Sequence, residues 1–215
     1  MRLGGRIEAA IAVIEEVENN KRPISEALRD WGNAHRFAGS GDRAAIGNLV
    51  YDVFRKRRSL AWRMDDESAS SLVHAALFDG WDLTPESLAE ALKDDKFAPP
   101  PISVERIAAF KSRDIKEAPE AVQADLPDWL AEIFEETYEE EWIKEGQAFT
   151  KRPPLDVRVN TLKATTEKVT NALSKTNAKP TNIARNGLRI EPGRGAKRLP
   201  NICLLYTSPS PRDRG

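Results

Sequence analysis

Apolar side chains recur at helical spacing through the first 150 residues of this 215-residue chain. Ile7, Ala10, Ile11 and Ile14 predict a first helix over about 4–18. Pro23 suits a first helical position, and Ile24, Ala27, Leu28 and Trp31 form a second stripe ending near Ala38. Gly39-Ser40-Gly41 reads as a tight loop, with Asp42 as the N-cap of a long third helix over 42–64. A fourth helix over 67–79 stops at Gly80, and Thr84-Pro85 opens a fifth. Pro99-Pro100-Pro101 is a spacer, after which Ser103 caps a short helix. The stretch 113–126 is polar and reads mostly as loop. Leu126-Pro127 then opens a helical pair carrying Trp129, Leu130, Ile133 and Phe134, followed by Trp142, Ile143 and Phe149.

At Pro153-Pro154 the period changes. Leu155, Val157 and Val159 alternate with Asp156, Arg158 and Asn160, the pattern of a half-buried strand. Val169, Ala172 and Leu173 predict a helix over 165–175. Strands over 181–184 and 188–191 flank Asn186-Gly187, a two-residue hairpin signal. Strand, helix, strand, strand is part of a split βαβ unit. The expected fold is therefore mainly α: an all-helical domain over 1–148, then an incomplete ferredoxin-like α/β (β-α-β-β) segment over 152–201. Residues 202–215 fit neither pattern. They resemble translated sequencing-adapter read-through, with a Pro/Ser-rich disordered end as the alternative.

Composition narrows the functional classes. Lys and Arg total 33 against 34 Asp and Glu, so bulk charge does not announce a nucleic-acid binder and only local patches can. No apolar run approaches the length of a membrane helix, so no membrane partner is expected. The single cysteine, Cys203, leaves no internal disulfide framework and suits a cytoplasmic location. Two histidines and one cysteine are too few for a Cys/His zinc site, and no metal is expected.

The first candidate for chemistry is the basic run Arg55-Lys56-Arg57-Arg58, with Arg63 nearby and Tyr51 and Trp62 as stacking faces. A solvated helix face is the plain alternative. At 100° per residue Arg57 falls on the apolar face with Ile46, Val53 and Met64, so it must find a carboxylate, snorkel, or mark a bend. That leaves Arg55, Lys56, Arg58 and Arg63 as the RNA candidates. Arg158, Asn160 and Lys163 around the strand are a second set, with an ordinary exposed strand face as their alternative. Gly39-Ser40-Gly41-Asp42 is a poor phosphate loop: it follows a helix, and Asp42 repels anions. His35 shares the Trp31 face and reads as a packed side chain, and the acidic run 132–145 as a solvated helix face. No nucleophile elbow, catalytic carboxylate pair or Walker loop occurs.

Two segments resemble a known family. "RPPLDVRVNTLK", residues 152–163, is similar to the opening of the small α/β domain that precedes the catalytic domain in the RsmB/NOP (Fmu/Sun) family of RNA 5-methylcytosine methyltransferases. "AHRFAGSGDRAAIGNLVYDVFRKRRSLAWRM", residues 34–64, is similar to the N-terminal domain of alphaproteobacterial members, which itself resembles the RNA-binding antitermination factor NusB. The resemblance implies a NusB-like RNA-binding domain over 1–148, RNA (ribosomal RNA first) as partner, and S-adenosylmethionine as the cofactor of the full-length parent. In that family a cysteine thiolate adds to carbon 6 of the cytosine ring so that carbon 5 can attack the methyl group. Neither the "APGGKT"-type cofactor loop nor the Pro-Cys and Thr-Cys-Ser motifs occur here, so no catalytic or cofactor-binding residue carries over and the chain alone is expected to be inactive. Two rivals stand beside this reading: a self-sufficient NusB-like antitermination module, and a helical protein-interaction domain that never touches RNA.

Overall fold

The computed structural model describes residues 1–192 and the backbone of Tyr206–Thr207. It divides into two compact units, Met1–Lys151 and a second beginning at Arg152. The sequence readings for 193–205 and 208–215, including most of the tail and Cys203, lie outside the described residues.

The first unit is helical. Its elements are α1 (Leu3–Asn20), α2 (Ile24–Ala34), α3 (Ser40–Arg55), α4 (Arg57–Met64), α5 (Ala69–Gly80), α6 (Pro85–Leu92), α7 (Val104–Ser112), α8 (Glu120–Gln123), α9 (Asp128–Tyr138) and α10 (Trp142–Phe149). α1 packs on α2, α3 and α5 through its predicted stripe, with Ile7, Ala10 and Ile14 fully buried. α5 is the central helix. It is apolar nearly all round, and Leu72, Val73, Ala75 and Leu77 have no exposed surface. Ser68 caps α5 by accepting from the Ser71 N–H, and Thr84 does the same for Ser87 at α6. A smaller core of Ala124, Leu126, Ala131 and Trp142 joins α8, α9 and α10.

Three expectations change. The helix predicted over 42–64 is two helices, broken at Lys56, where φ and ψ are −124° and 26°. The break turns Arg57 off the apolar face. Its guanidinium reaches Glu18 at 2.9 Å and Glu67 at 3.3 Å. Asp42 is not the N-cap of α3. Gly39 is, and Asp42 sits in the first turn, accepting from the Gly39 N–H at 3.3 Å and pairing with Arg6 at 2.8 Å. Finally, half of 113–126 is helical. It contains α8 and a 3-10 turn at Ile115–Glu117, and it buries Ala118, Val122, Ala124 and Leu126. Those apolar positions are too few and too irregularly spaced to show a period.

The second unit holds β1 (Leu155–Val159), α11 (Thr166–Ala172), β2 (Lys179–Pro180), β3 (Gly187–Ile190) and β4 (Tyr206–Thr207). The strand order is β2-β3-β1-β4, all antiparallel, so β3 lies between the two strands of the split βαβ unit. β4 pairs with the free edge of β1 through Arg158 opposite Thr207 and Val159 opposite Tyr206. Val157, Val159 and Leu188 line one face, and Val169 and Leu173 pack with them in one core. The predicted strand at 181–184 is shifted: β2 is Lys179–Pro180, and 181–186 is a wider connection. Neither Asn186 nor Gly187 has positive φ, so the two-residue hairpin geometry does not form. Instead the Gly187 N–H bonds the Ala184 carbonyl at 2.9 Å, and the Thr181 N–H bonds the Gly187 carbonyl at 3.0 Å. A Cβ on Gly187 would stand 2.8 Å from Thr181 Oγ1, which is why this position needs glycine.

Candidate nucleic-acid interface

The cations of the helical run all have carboxylate partners. Arg55 pairs with Asp52 at 3.1 Å, and Lys56 with Asp79 at 2.8 Å. Arg58 pairs with Asp128 at 2.7 Å and also donates to the Leu126 carbonyl. Arg63 shares Asp79 at 3.1 Å, donates to the Phe110 carbonyl at 3.3 Å, and holds its guanidinium 3.7 Å from the centre of the Phe110 ring. Arg57 is held more tightly still. Burial works against its charge, but Glu18 and Glu67 outweigh burial and raise it above its ordinary value. The proposed stacking faces are also engaged: Arg113 lies over Trp62 at 5.4 Å, and Arg55 lies 5.8 Å from the Tyr51 ring centre.

This part of the surface is therefore a clasp between distant segments. Its centre is Asp125. One of its carboxylate oxygens accepts from the Ser59 N–H at 2.8 Å and the other from the Ser59 hydroxyl at 2.6 Å. A side chain 66 residues away thus serves the first turn of α4, whose own cap residue, Lys56, has no acceptor on its side chain. Burial pushes the Asp125 carboxyl above the usual range, against these hydrogen bonds, which favour the anion.

The second candidate set is placed differently. Arg158 projects from the polar face of β1 and Lys163 from the turn that follows; both are exposed, and neither has an ion pair among the described residues. Asn160 is a turn-former. Its Oδ1 accepts from the Leu162 N–H at 3.2 Å, and its carbonyl accepts from Lys163 and Ala164. The register adds residues that the motif did not flag. Lys179, Arg189 and Asp156 stand side by side across three strands on the face that carries Arg158. Asp156 receives two bonds from Arg189 at 2.7 Å, which hold its carboxyl below the ordinary range. Arg185 lies in the turn before β3, beside the end of β1, because the Val159 N–H bonds the Asn186 carbonyl at 2.9 Å.

A count by unit gives the signal that total charge hides. Residues 152–192 hold eight Lys and Arg against three Asp and Glu, whereas residues 1–151 hold twenty against thirty. A window count along the sequence would have found this.

Neither histidine offers chemistry. His35 stacks on Trp31 at 4.4 Å, with Nδ1 against the Trp31 carbonyl at 2.8 Å. Nδ1 of His74 faces the Ser70 carbonyl at 2.7 Å, and burial keeps the ring below its ordinary pKa. Among the described residues no group of three or more His, Cys, Asp or Glu is placed to hold a metal ion. No described helix is long and apolar enough to cross a membrane. An open, apolar recess of about 940 Å³ lies beside Trp31, His35, Phe37 and Phe97.

A helical unit is thus followed by a split βαβ sheet with an exposed basic face. Residues 126–195 match the family model of the RsmF/B-like methyltransferase ferredoxin-like domain, a match that takes in α9 and α10 as well as β1, α11, β2 and β3. Over these residues the chain is similar to methyltransferases of the RsmF/B type. The fold is similar to the crystal structure of PH0851, with a TM-score of 0.50, 16% sequence identity, and coverage of 90% of this chain and 49% of that one. The chain thus spans about half the length of that structure. No curated protein matches the sequence.

Proposed function

We propose that this chain is the RNA-binding front part of an S-adenosylmethionine-dependent RNA cytosine-5 methyltransferase acting on ribosomal RNA. The observation that carries the reading is the RsmF/B-like ferredoxin-like match over 126–195. It is supported by the likeness of 34–64 to the NusB-like domain of the same family and by the basic composition of 152–192. In this reading the chain binds and orients RNA. It contributes no catalytic residue, and the methyl-donor site and the catalytic cysteines belong to the parent enzyme.

Two measurements test it. Filter binding of the purified chain to a ribosomal RNA fragment is expected to show saturable, salt-sensitive retention. Incubation of the same RNA with the chain and labelled methyl donor is expected to give no incorporation. Failure to retain RNA at low salt would refute the reading. The rival NusB-like antitermination module would bind RNA equally well after deletion of the residues from Arg152 onward, whereas the present reading expects most of the affinity to go.

A further inference from the structure

We infer that RNA is gripped by the open polar face of the sheet unit, through its phosphates and not by base stacking, and that the helical basic run takes no part. The inference rests on the proposed RNA-binding role and says which surface performs it.

Three observations lead there. First, phosphate binding needs cations that are not already neutralised. The four helical candidates each have a carboxylate within 3.1 Å, so RNA would have to break those pairs. Arg158, Lys163, Lys179 and Arg185 are exposed and lack such a pair among the described residues. Second, the antiparallel register gathers them. Arg158 and Lys179 project from one face, while Lys163 and Arg185 occupy adjoining turns at one end of the sheet. Asp156 stands on that face with both its oxygens occupied by Arg189, and the charge of Glu191, just after β3, also falls on Arg189. Third, residues 152–192 contain no Phe, Tyr or Trp, so β1, β2, β3 and the turns between them offer no ring on which an unpaired base could stack. A surface of point charges without rings follows a backbone and is indifferent to base identity.

The test uses the whole chain and a fluorescein-labelled oligouridine, with anisotropy read across a salt series. Joint replacement of Arg158, Lys163, Lys179 and Arg185 by alanine is expected to weaken binding by tenfold or more at low salt. It should also flatten the plot of log affinity against log salt by about 2–3, since each phosphate contact on a single strand contributes roughly 0.7. Changing Arg158 and Arg185 to lysine should preserve both values, because phosphate accepts either cation, whereas bidentate base reading does not. If the alanine variant unfolds, glutamine at the same four exposed positions removes the charges while keeping the aliphatic stems and carries the same expectation. All five tryptophans lie in residues 1–151, so RNA should leave tryptophan emission unchanged.

Arg55→Ala with Lys56→Ala should leave affinity within about twofold, since exposed cations outside the contact surface alter binding little. Affinity that survives the fourfold substitution, or that falls with Arg55 and Lys56 while tryptophan emission is quenched, overturns the inference and leaves the proposed function standing. Absence of any RNA binding by the unaltered chain overturns both.

Discussion

Replacing Asp125 by alanine removes the carboxylate that ties the 113–126 segment to Ser59 at the start of α4. Three effects add. The Ser59 N–H loses its acceptor in the first helical turn, a loss typically worth about 1 kcal/mol. A hydrogen bond to a charged group is worth about 1.5–3 kcal/mol, although the Ser59 hydroxyl can turn to the Lys56 carbonyl 3.1 Å away and recover part of it. Asp125 also holds φ at 54°, a left-handed conformation that costs alanine about 1 kcal/mol and asparagine less. Release of a buried carboxylate works in the opposite direction. The net expectation is a loss of about 2–3 kcal/mol for alanine, and about 1 kcal/mol for asparagine, which tolerates the backbone and keeps one acceptor. Urea unfolding followed by circular dichroism reads this as a lower midpoint at unchanged slope. The pH dependence supplies an independent check. Burial raises the folded carboxyl above its unfolded value, so the contribution of Asp125 is fully present below the unfolded pKa and declines as pH rises through the folded one. That decline should be missing in Asp125→Asn. An alanine variant within about 0.5 kcal/mol of the parent, the usual range for an uninvolved surface position, would refute the clasp. So would an asparagine variant as damaged as alanine.

Gly146→Ala should lower the melting temperature of the helical unit, because the added Cβ would stand 2.8 Å from the Ala124 Cβ and 2.9 Å from its carbonyl oxygen. The cost is about 1–3 kcal/mol by analogy with other overpacked sites, and an unchanged melting curve would contradict the close approach of α8 and α10. Leu173→Ala empties a fully buried position between α11 and the sheet. A loss of about 2–5 kcal/mol should unfold the second unit selectively, visible as early amide exchange after Arg152. Asp156 sits below its ordinary pKa because of Arg189. Its contribution is therefore present above the unfolded pKa and is lost as pH falls through the folded one, and an NMR titration of Arg189→Ala should return the carboxyl midpoint upward to the usual range.

Arg57 shows how far a sequence argument reaches. Helical spacing put a guanidinium on an apolar face and demanded a carboxylate, a snorkel or a bend. The structure supplies both a carboxylate and a bend. Spacing could not supply the identity of Glu18, 39 residues earlier, or of Asp125, which serves the new helix start. The RNA candidates divide along the same line. A run of four cations is visible in any reading, and Asp52 lies within reach of Arg55 in the same helix, but Lys56, Arg58 and the nearby Arg63 are neutralised by Asp79 and Asp128, which the fold brings up from other helices. Around the strand the motif drew attention to Arg158 and Lys163. Lys179 and Arg185 join them only through the pairing of β1 with β3 and of β3 with β2.

The sequence by itself determined the class of the longer elements and the change from helical to sheet architecture near residue 152. Periods of 3.6 and 2 are local properties, written by apolar side chains that must share one face. It also determined the charge imbalance between the two parts. Tertiary structure alone decided where α3 stops, where β2 begins, and which cations remain available to a ligand. Each of those depends on a pairing partner that the fold brings up, from about ten residues away for β2 to 66 for the start of α4, and periodicity does not encode that partner.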